Sequence, residues 1–253
     1  MIKVMTTKLV GILNITPDSF SDGDLFLDPD AAVRHAEKLF ADGASIVDIG
    51  AESTRPGATP ITPAEEWRRL SSVLEWFSNL YPNQLSLDTY HPETARRALA
   101  IRQFIINDIT GLSHPSMADL LIEHQARCVL GHVPGGGIQG AHKAKPIDSL
   151  QQVIDELLSK AATLESKGLK RGKIILDPGI GFGKTEDLNW QLLEFAMYVP
   201  DYRVMIGYSR KRFLGEDRMT LEANLAAGEA AIAAGAAYLR VHDVAGHRQL
   251  LEK

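Results

Sequence analysis

Residues 29–50 read P-D-A-A-V-R-H-A-E-K-L-F-A-D-G-A-S-I-V-D-I-G. Over Pro29–Asp42 the apolar residues recur at helical spacing, and Gly43 stands where a helix C-cap belongs. Ser45–Gly50 is then a near-continuous apolar run of strand length, the pattern of a parallel strand buried on both faces. The stretch is one turn of an alternation that fills the chain. Seven further runs have the same character: Leu9–Asn14, Gln84–Thr89, Phe104–Ile109, Arg127–His132, Lys173–Pro178, Arg203–Tyr208 and Tyr238–Asp243. Between them lie helical candidates at Thr62–Leu80, His91–Ala100, Ser149–Lys167 and Leu221–Gly235. Thr62-Pro63-Ala64-Glu65 has a capping-box pattern with proline at the first helical position. Eight strand runs in 253 residues predict an α/β fold, a (β/α)8 TIM barrel forming a single domain over residues 1–253.

Composition narrows the function. The net charge is -5, from 27 basic and 32 acidic side chains, so a nucleic-acid or anionic-membrane partner is not expected. There is no apolar run of membrane-spanning length, and the N-terminal apolar run is too short for a signal segment. The single cysteine, Cys128, lies in an apolar run and reads as a buried thiol in a reducing, cytoplasmic protein.

The strand runs end in polar residues: Asn14, Asp48, Asp88, Asn107 with Asp108, His132, Asp177, Ser209, and His242 with Asp243. In a barrel all the C-terminal strand ends open into one bowl, so these residues are expected to share a small-molecule site. Any one of them alone reads equally well as a strand terminator or helix cap. Arg240 and His242 lie two apart on the last run and share a face. Such a pair inside a barrel predicts a bound anion. The loop Glu52–Gly57 carries Arg55, whose fork suits phosphate or carboxylate. Asp177–Lys184, D-P-G-I-G-F-G-K, is one residue short of phosphate-loop spacing and reads instead as a glycine-rich loop beside a flat ligand.

Taken together, G-I-L-N-I-T-P-D-S-F-S-D-G (Gly11–Gly23), E-S-T-R-P-G (Glu52–Gly57), L-D-T (Leu87–Thr89), I-N-D-I (Ile106–Ile109), L-D-P-G-I-G-F-G-K (Leu176–Lys184), S-R-K (Ser209–Lys211) and R-V-H-D-V (Arg240–Val244) closely resemble the motifs of the dihydropteroate synthases, pterin-binding transferases of folate biosynthesis. The resemblance implies a barrel that joins 6-hydroxymethyl-7,8-dihydropterin pyrophosphate to p-aminobenzoate, with Mg²⁺ as cofactor and a dissociative displacement. It implies Asp88, Asn107, Asp177, Phe182 and Lys211 at the pterin. Asn14, Arg240 and His242 would hold pyrophosphate, with Asn14 also near the metal. Thr54, Arg55, Pro56 and Ser209 would face p-aminobenzoate. Asp48, Asp88, Asp177 and Lys211 would carry catalysis, Asp48 either by stabilising the cation or by holding a loop. It further implies a homodimer, to which the alanine-rich stretch Leu225–Ala237 could contribute, and a target for sulfonamides, which mimic p-aminobenzoate.

The chain departs from the family pattern at several points. Leu130-Gly131-His132-Val133 replaces a usual Met-His-Met, so Gly131 predicts a gap beside the pterin. Pro134–Gly137 is also unusual, Asp24 replaces a glycine, and Thr110-Gly111-Leu112 stands in place of Ser-Gly-Gly. A non-catalytic pterin-binding paralogue and a pterin-dependent methyltransferase are the alternative readings. The second has no use for the Glu52–Gly57 motif or for the Arg240/His242 pair.

Overall fold

The structure is a computed structural model that describes residues 6–16, 29–53, 58–135, 137 and 145–252. Eight strands close into a parallel barrel in chain order: β1 (Lys8–Asn14), β2 (Ile46–Gly50), β3 (Leu85–Asp88), β4 (Ile105–Asp108), β5 (Arg127–Gly131), β6 (Ile174–Asp177), β7 (Arg203–Gly207) and β8 (Tyr238–Val241). β8 returns to β1 through pairs such as Val10 with Arg240. Each strand coincides with one of the apolar runs. The ladders stop short of Thr89, Ile109, His132, Pro178, Tyr208 and His242, which belong to the loops above the barrel.

The helices pack outside. They are α1 (Pro29–Ala41), α2 (Pro63–Leu80), α3 (Pro92–Ile101), α4 (Pro115–Glu123), α5 (Leu150–Ser166), α6 (Glu186–Gln191), α7 (Leu221–Ala233) and α8 (Val244–His247). Thr62 caps α2 by accepting from Glu65 N at 3.2 Å, but the Glu65 carboxylate turns to Arg68 and Arg69 instead of back to the cap. The capping box is therefore half formed. α7 ends at Ala233, before the expected Gly235, and Gly235 adopts φ +92° in the turn that follows. α4 is not among the helical candidates of the sequence; His114 caps it through its ring Nδ1, 3.3 Å from Ser116 N. No helix among the described residues is long and apolar enough to cross a membrane.

Two apolar clusters separate the faces of the strands, β3 contributing only to the first. One lies between strands and helices and includes Ile106, Cys128, Leu130, Leu176, Leu239 and Val241. The other consists of strand residues and the residue before β8: Val10, Ile46, Ile105, Val129, Ile175, Met205, Ala237 and Tyr238. This second cluster plugs the barrel interior, as layered side chains do in this architecture. Cys128 is fully buried on the outer face, and burial pushes its thiol up to about 12, so it is not a nucleophile near neutral pH.

Candidate active site

Side chains along a strand alternate between faces, so residues two beyond the inner plug form the next inner layer. Adding two to Val10, Ile46, Ile105, Val129, Ile175, Met205 and Tyr238 gives Ile12, Asp48, Asn107, Gly131, Asp177, Gly207 and Arg240. On β3, Asp88 takes the corresponding place above Ser86. The apolar plug thus gives way in one step to a layer of three carboxylates, an amide and a guanidinium. A further two residues bring Asn14, Ser209 and His242 to the rim, where the His242 ring Nδ1 lies 3.0 Å from Ser209 Oγ.

The polar layer is bonded across the barrel. Arg240 Nε donates to Asp48 Oδ2 at 2.7 Å, and its Nη2 donates to Asp88 Oδ2 at 2.6 Å. Asn107 Nδ2 donates to the same Asp48 oxygen at 2.9 Å. Arg240 therefore finds its counter-charges within the chain, and an anion is not needed to explain its burial. Burial would lower the Arg240 pKa, but Asp48 and Asp88 more than offset this and hold its charge firmly. Burial raises Asp88 to about 7, against the pull of Arg240. Asp177 is likewise raised by burial, against Lys211 and the Gly179 N–H, which its Oδ1 accepts at 2.7 Å.

Lys211 reaches in from the loop after β7. Its ammonium donates to Ile180 O at 2.5 Å and lies 5.1 Å from the centre of the Phe182 ring. Burial brings its pKa down to about 8, with Asp177 resisting the fall. A Cβ added at Gly207 would lie 3.7 Å from Asp177 Oδ2 and 3.8 Å from Arg240 Cβ, so this glycine keeps the space between them clear.

Not every polar strand end joins this layer. Asp108 lies one residue after inward Asn107, on the outer face, where its Oδ1 accepts from Thr110 N and Oγ1 at 2.8 and 2.6 Å. His132 is also outward, with Nε2 3.0 Å from Glu156 on α5. Asp243 caps α8 by accepting from Gly246 N at 2.9 Å. These three are turn braces and a cap. Thr54, Arg55, Pro56 and most of the loop that follows Asn14 lie outside the described residues.

Gly131 leaves no gap. A Cβ there would fall 2.6 Å from Ile109 Cα and 2.8 Å from Ile109 O, because the loop after β4 leans onto the end of β5. The expectation of a loosened pocket fails for that reason. Gly131→Met is expected to lower stability by about 1–3 kcal/mol through overpacking, read as a shift in urea midpoint. In the same loop Leu112 stands where the family usually has glycine, and it holds φ +58°.

Two groups that the sequence reading gave no role are prominent here. Glu52 accepts from Tyr90 Oη and lies 3.2 Å from His91 Nε2, and the buried Glu66 accepts from Thr89 Oγ1 at 2.8 Å. This ties the start of the Glu52–Gly57 loop to the residues that directly follow Asp88. The second group is Lys184, buried in the glycine-rich loop. Glu66 and His91 lie on or beside separate helices, so only the fold brings them to Glu52.

A closed parallel barrel with a charged layer above an apolar plug defines a TIM-barrel enzyme of the kind that binds a small polar ligand at its C-terminal mouth. Residues 10–242 match the family described as "Pterin binding enzyme". The chain is 36% identical over 245 residues to the dihydropteroate synthase of Escherichia coli K12, covering 93% of this chain and 86% of that protein. It is 37% identical over 246 residues to a probable bifunctional folylpolyglutamate synthase/dihydropteroate synthase of Haloferax volcanii, covering 94% of this chain but only 29% of that longer protein. Among solved structures, Xanthomonas albilineans dihydropteroate synthase with 4-aminobenzoic acid superposes with a TM-score of 0.88 at 36% identity, covering 98% of this chain and 92% of the other. The chain belongs to the pterin-binding enzyme family and, within it, to the dihydropteroate synthases, which are transferases.

Proposed function

We propose that this chain condenses 6-hydroxymethyl-7,8-dihydropterin pyrophosphate with p-aminobenzoate, giving 7,8-dihydropteroate and pyrophosphate. The observation that carries this reading is the inner layer itself: Asp88, Asn107 and Asp177 beside Lys211 and Arg240, all at one mouth of the barrel. The aminopyrimidinone edge of a pterin offers adjacent N–H donors, which a carboxylate accepts in pairs. Asp177 and Asn107 suit that edge, and Lys211 would donate to a ring acceptor, with Phe182 against the ring face.

The CH₂–O bond to pyrophosphate breaks first, and its electron pair leaves with the phosphate oxygen. The conjugated dihydropterin ring stabilises the CH₂ cation, with Asp88 and Asp177 where positive charge develops. The neutral amine of p-aminobenzoate then forms the C–N bond and gives up a proton. Arg240 has five donors, more than its two carboxylate bonds consume, and with His242 and Asn14 it would hold the departing pyrophosphate. Asp48 acts as a positioning residue, since its Oδ2 serves both Arg240 and Asn107.

Asn14, at the end of β1, would offer its amide oxygen to Mg²⁺, a hard cation that would neutralise charge on the leaving group. Thr54, Arg55, Pro56 and Ser209 would receive p-aminobenzoate, and sulfonamides would compete there. We place the enzyme in the cytoplasm as a homodimer. Trp190, Met197, Tyr198, Met219 and Leu221, on and beside α6 and at the start of α7, are exposed apolar side chains that a second copy would cover.

A pyrophosphate-release assay with both substrates and Mg²⁺ tests the reading directly. Release that depends on both substrates, with dihydropteroate as product, is the expected result; pterin binding without release would identify a binding-only paralogue. Calorimetry is expected to detect p-aminobenzoate only once pyrophosphate is present, and full-affinity binding to the empty enzyme would contradict the ordered scheme.

A further inference from the structure

We infer that Lys184 is a positioning residue that sets the pterin floor by stapling the Asp177–Lys184 loop to the end of β5, an inference that rests on the pterin-site reading above. Lys184 is 7% exposed, and its ammonium donates to three backbone carbonyls: Gly179 O at 2.8 Å, Phe182 O at 3.0 Å and His132 O at 3.1 Å. An ammonium has three donors, and all three are spent. Two of the acceptors belong to the glycine-rich loop and the third to the chain leaving β5. The backbone is already as close as it can come there. A Cβ on Gly179, which has φ +67°, would fall 2.0 Å from His132 O. The cation thus offsets the crowding of carbonyl dipoles that this approach creates.

The stapled loop carries the groups that face the ligand. Asp177 opens it and accepts from Gly179 N, Ile180 O receives Lys211, and the Phe182 ring lies beneath the Lys211 ammonium. On its other side, Asn189 Oδ1 accepts from Gly181 N at 2.7 Å. Lys184 therefore fixes, from below, the carbonyl and ring that place Lys211 from above. The two ammonium groups also repel each other, and burial together with this repulsion brings Lys184 down to about 7.

The test is Lys184→Met in the full chain, with Asn189→Ala as a second variant loosening the same loop. Fluorescence titration with a pterin and steady-state kinetics are measured across pH 6–10. The expected result is a pterin Kd and KM raised at least tenfold in Lys184→Met, with the KM for p-aminobenzoate at saturating pterin unchanged. Asn189→Ala is expected to weaken pterin binding in the same direction, and it decides alone if Lys184→Met does not fold. Wild-type pterin Kd in the folded variants, or an equal fall in every kinetic parameter, overturns the staple. Failure of the wild-type enzyme to release pyrophosphate would overturn the proposed reaction, while the titrations would still decide the role of Lys184.

Discussion

Arg240→Met is expected to abolish turnover and to destabilise the fold by about 3–5 kcal/mol near neutral pH. Among the described residues, Arg240 alone donates to both Asp48 and Asp88, at 2.7 and 2.6 Å, and Asp48 is 1% exposed. Asp48 Oδ1 is already buried with no hydrogen-bond partner among the described residues. Removing the guanidinium leaves neighbouring carboxylates without their counter-charge, in a layer set on an apolar plug. One remedy is protonation: without Arg240, Asp88 titrates above its value of about 7, so the loss is expected to shrink as pH falls toward 7. Adding Asp48→Asn to Arg240→Met is expected to recover part of the stability and none of the activity, because the proposed pyrophosphate contact stays lost. Urea unfolding at pH 5 and pH 8, together with the release assay, separates these effects. A stable, inactive single variant would mean that Arg240 serves the ligand alone.

The second large effect belongs to Lys211. Lys211→Ala is expected to lower kcat/KM by about 10²–10³-fold, the range for losing one donor aimed at developing charge, while leaving the fold intact. Its ammonium rests on a single backbone carbonyl and the Phe182 ring and ties no strands together. The pH profile gives a sharper signature. Burial lowers Lys211 from the ordinary lysine range to about 8, so the donating form is present below that pH and lost above it. Pterin binding and kcat/KM should therefore fall as pH rises through about 8. In Lys211→Ala that limb should vanish, and binding should be weak at every pH. Asp177→Asn is expected to abolish turnover too; and since Asp177 holds the Lys211 pKa up, any residual limb should move below 8. Wild-type turnover in either variant would remove both residues from the pterin site.

The barrel was legible because each strand is buried on both faces and so writes a continuous apolar run. SIVDIG at Ser45–Gly50 covers β2, and the other seven runs fall on the other seven strands. The polar strand ends were legible as a set but not one by one. Parity along the strand separates them: Asn107 sits two after inward Ile105, while Asp108 sits two after outward Ile106. That rule was available in the sequence once one inner residue per strand was known, and it assigns Asp108, His132 and Asp243 outward. No such rule points to Lys184 or to Glu52 with Glu66 and His91. Their partners are backbone carbonyls and side chains remote in the chain.

The sequence by itself determined the eight-stranded alternation, the family, and which residue types stand at the barrel mouth, since each depends on local apolar pattern or contiguous motif. The tertiary structure alone decided how those residues are paired. Arg240, expected from sequence to hold an anion, is also bonded to Asp48 and Asp88, and Gly131, assigned to a gap, gives its space to the backbone of Ile109. Closure of the barrel sets both, because it brings β8 across from β2 and β3 and lays the β4 loop on β5, distances that local spacing does not contain.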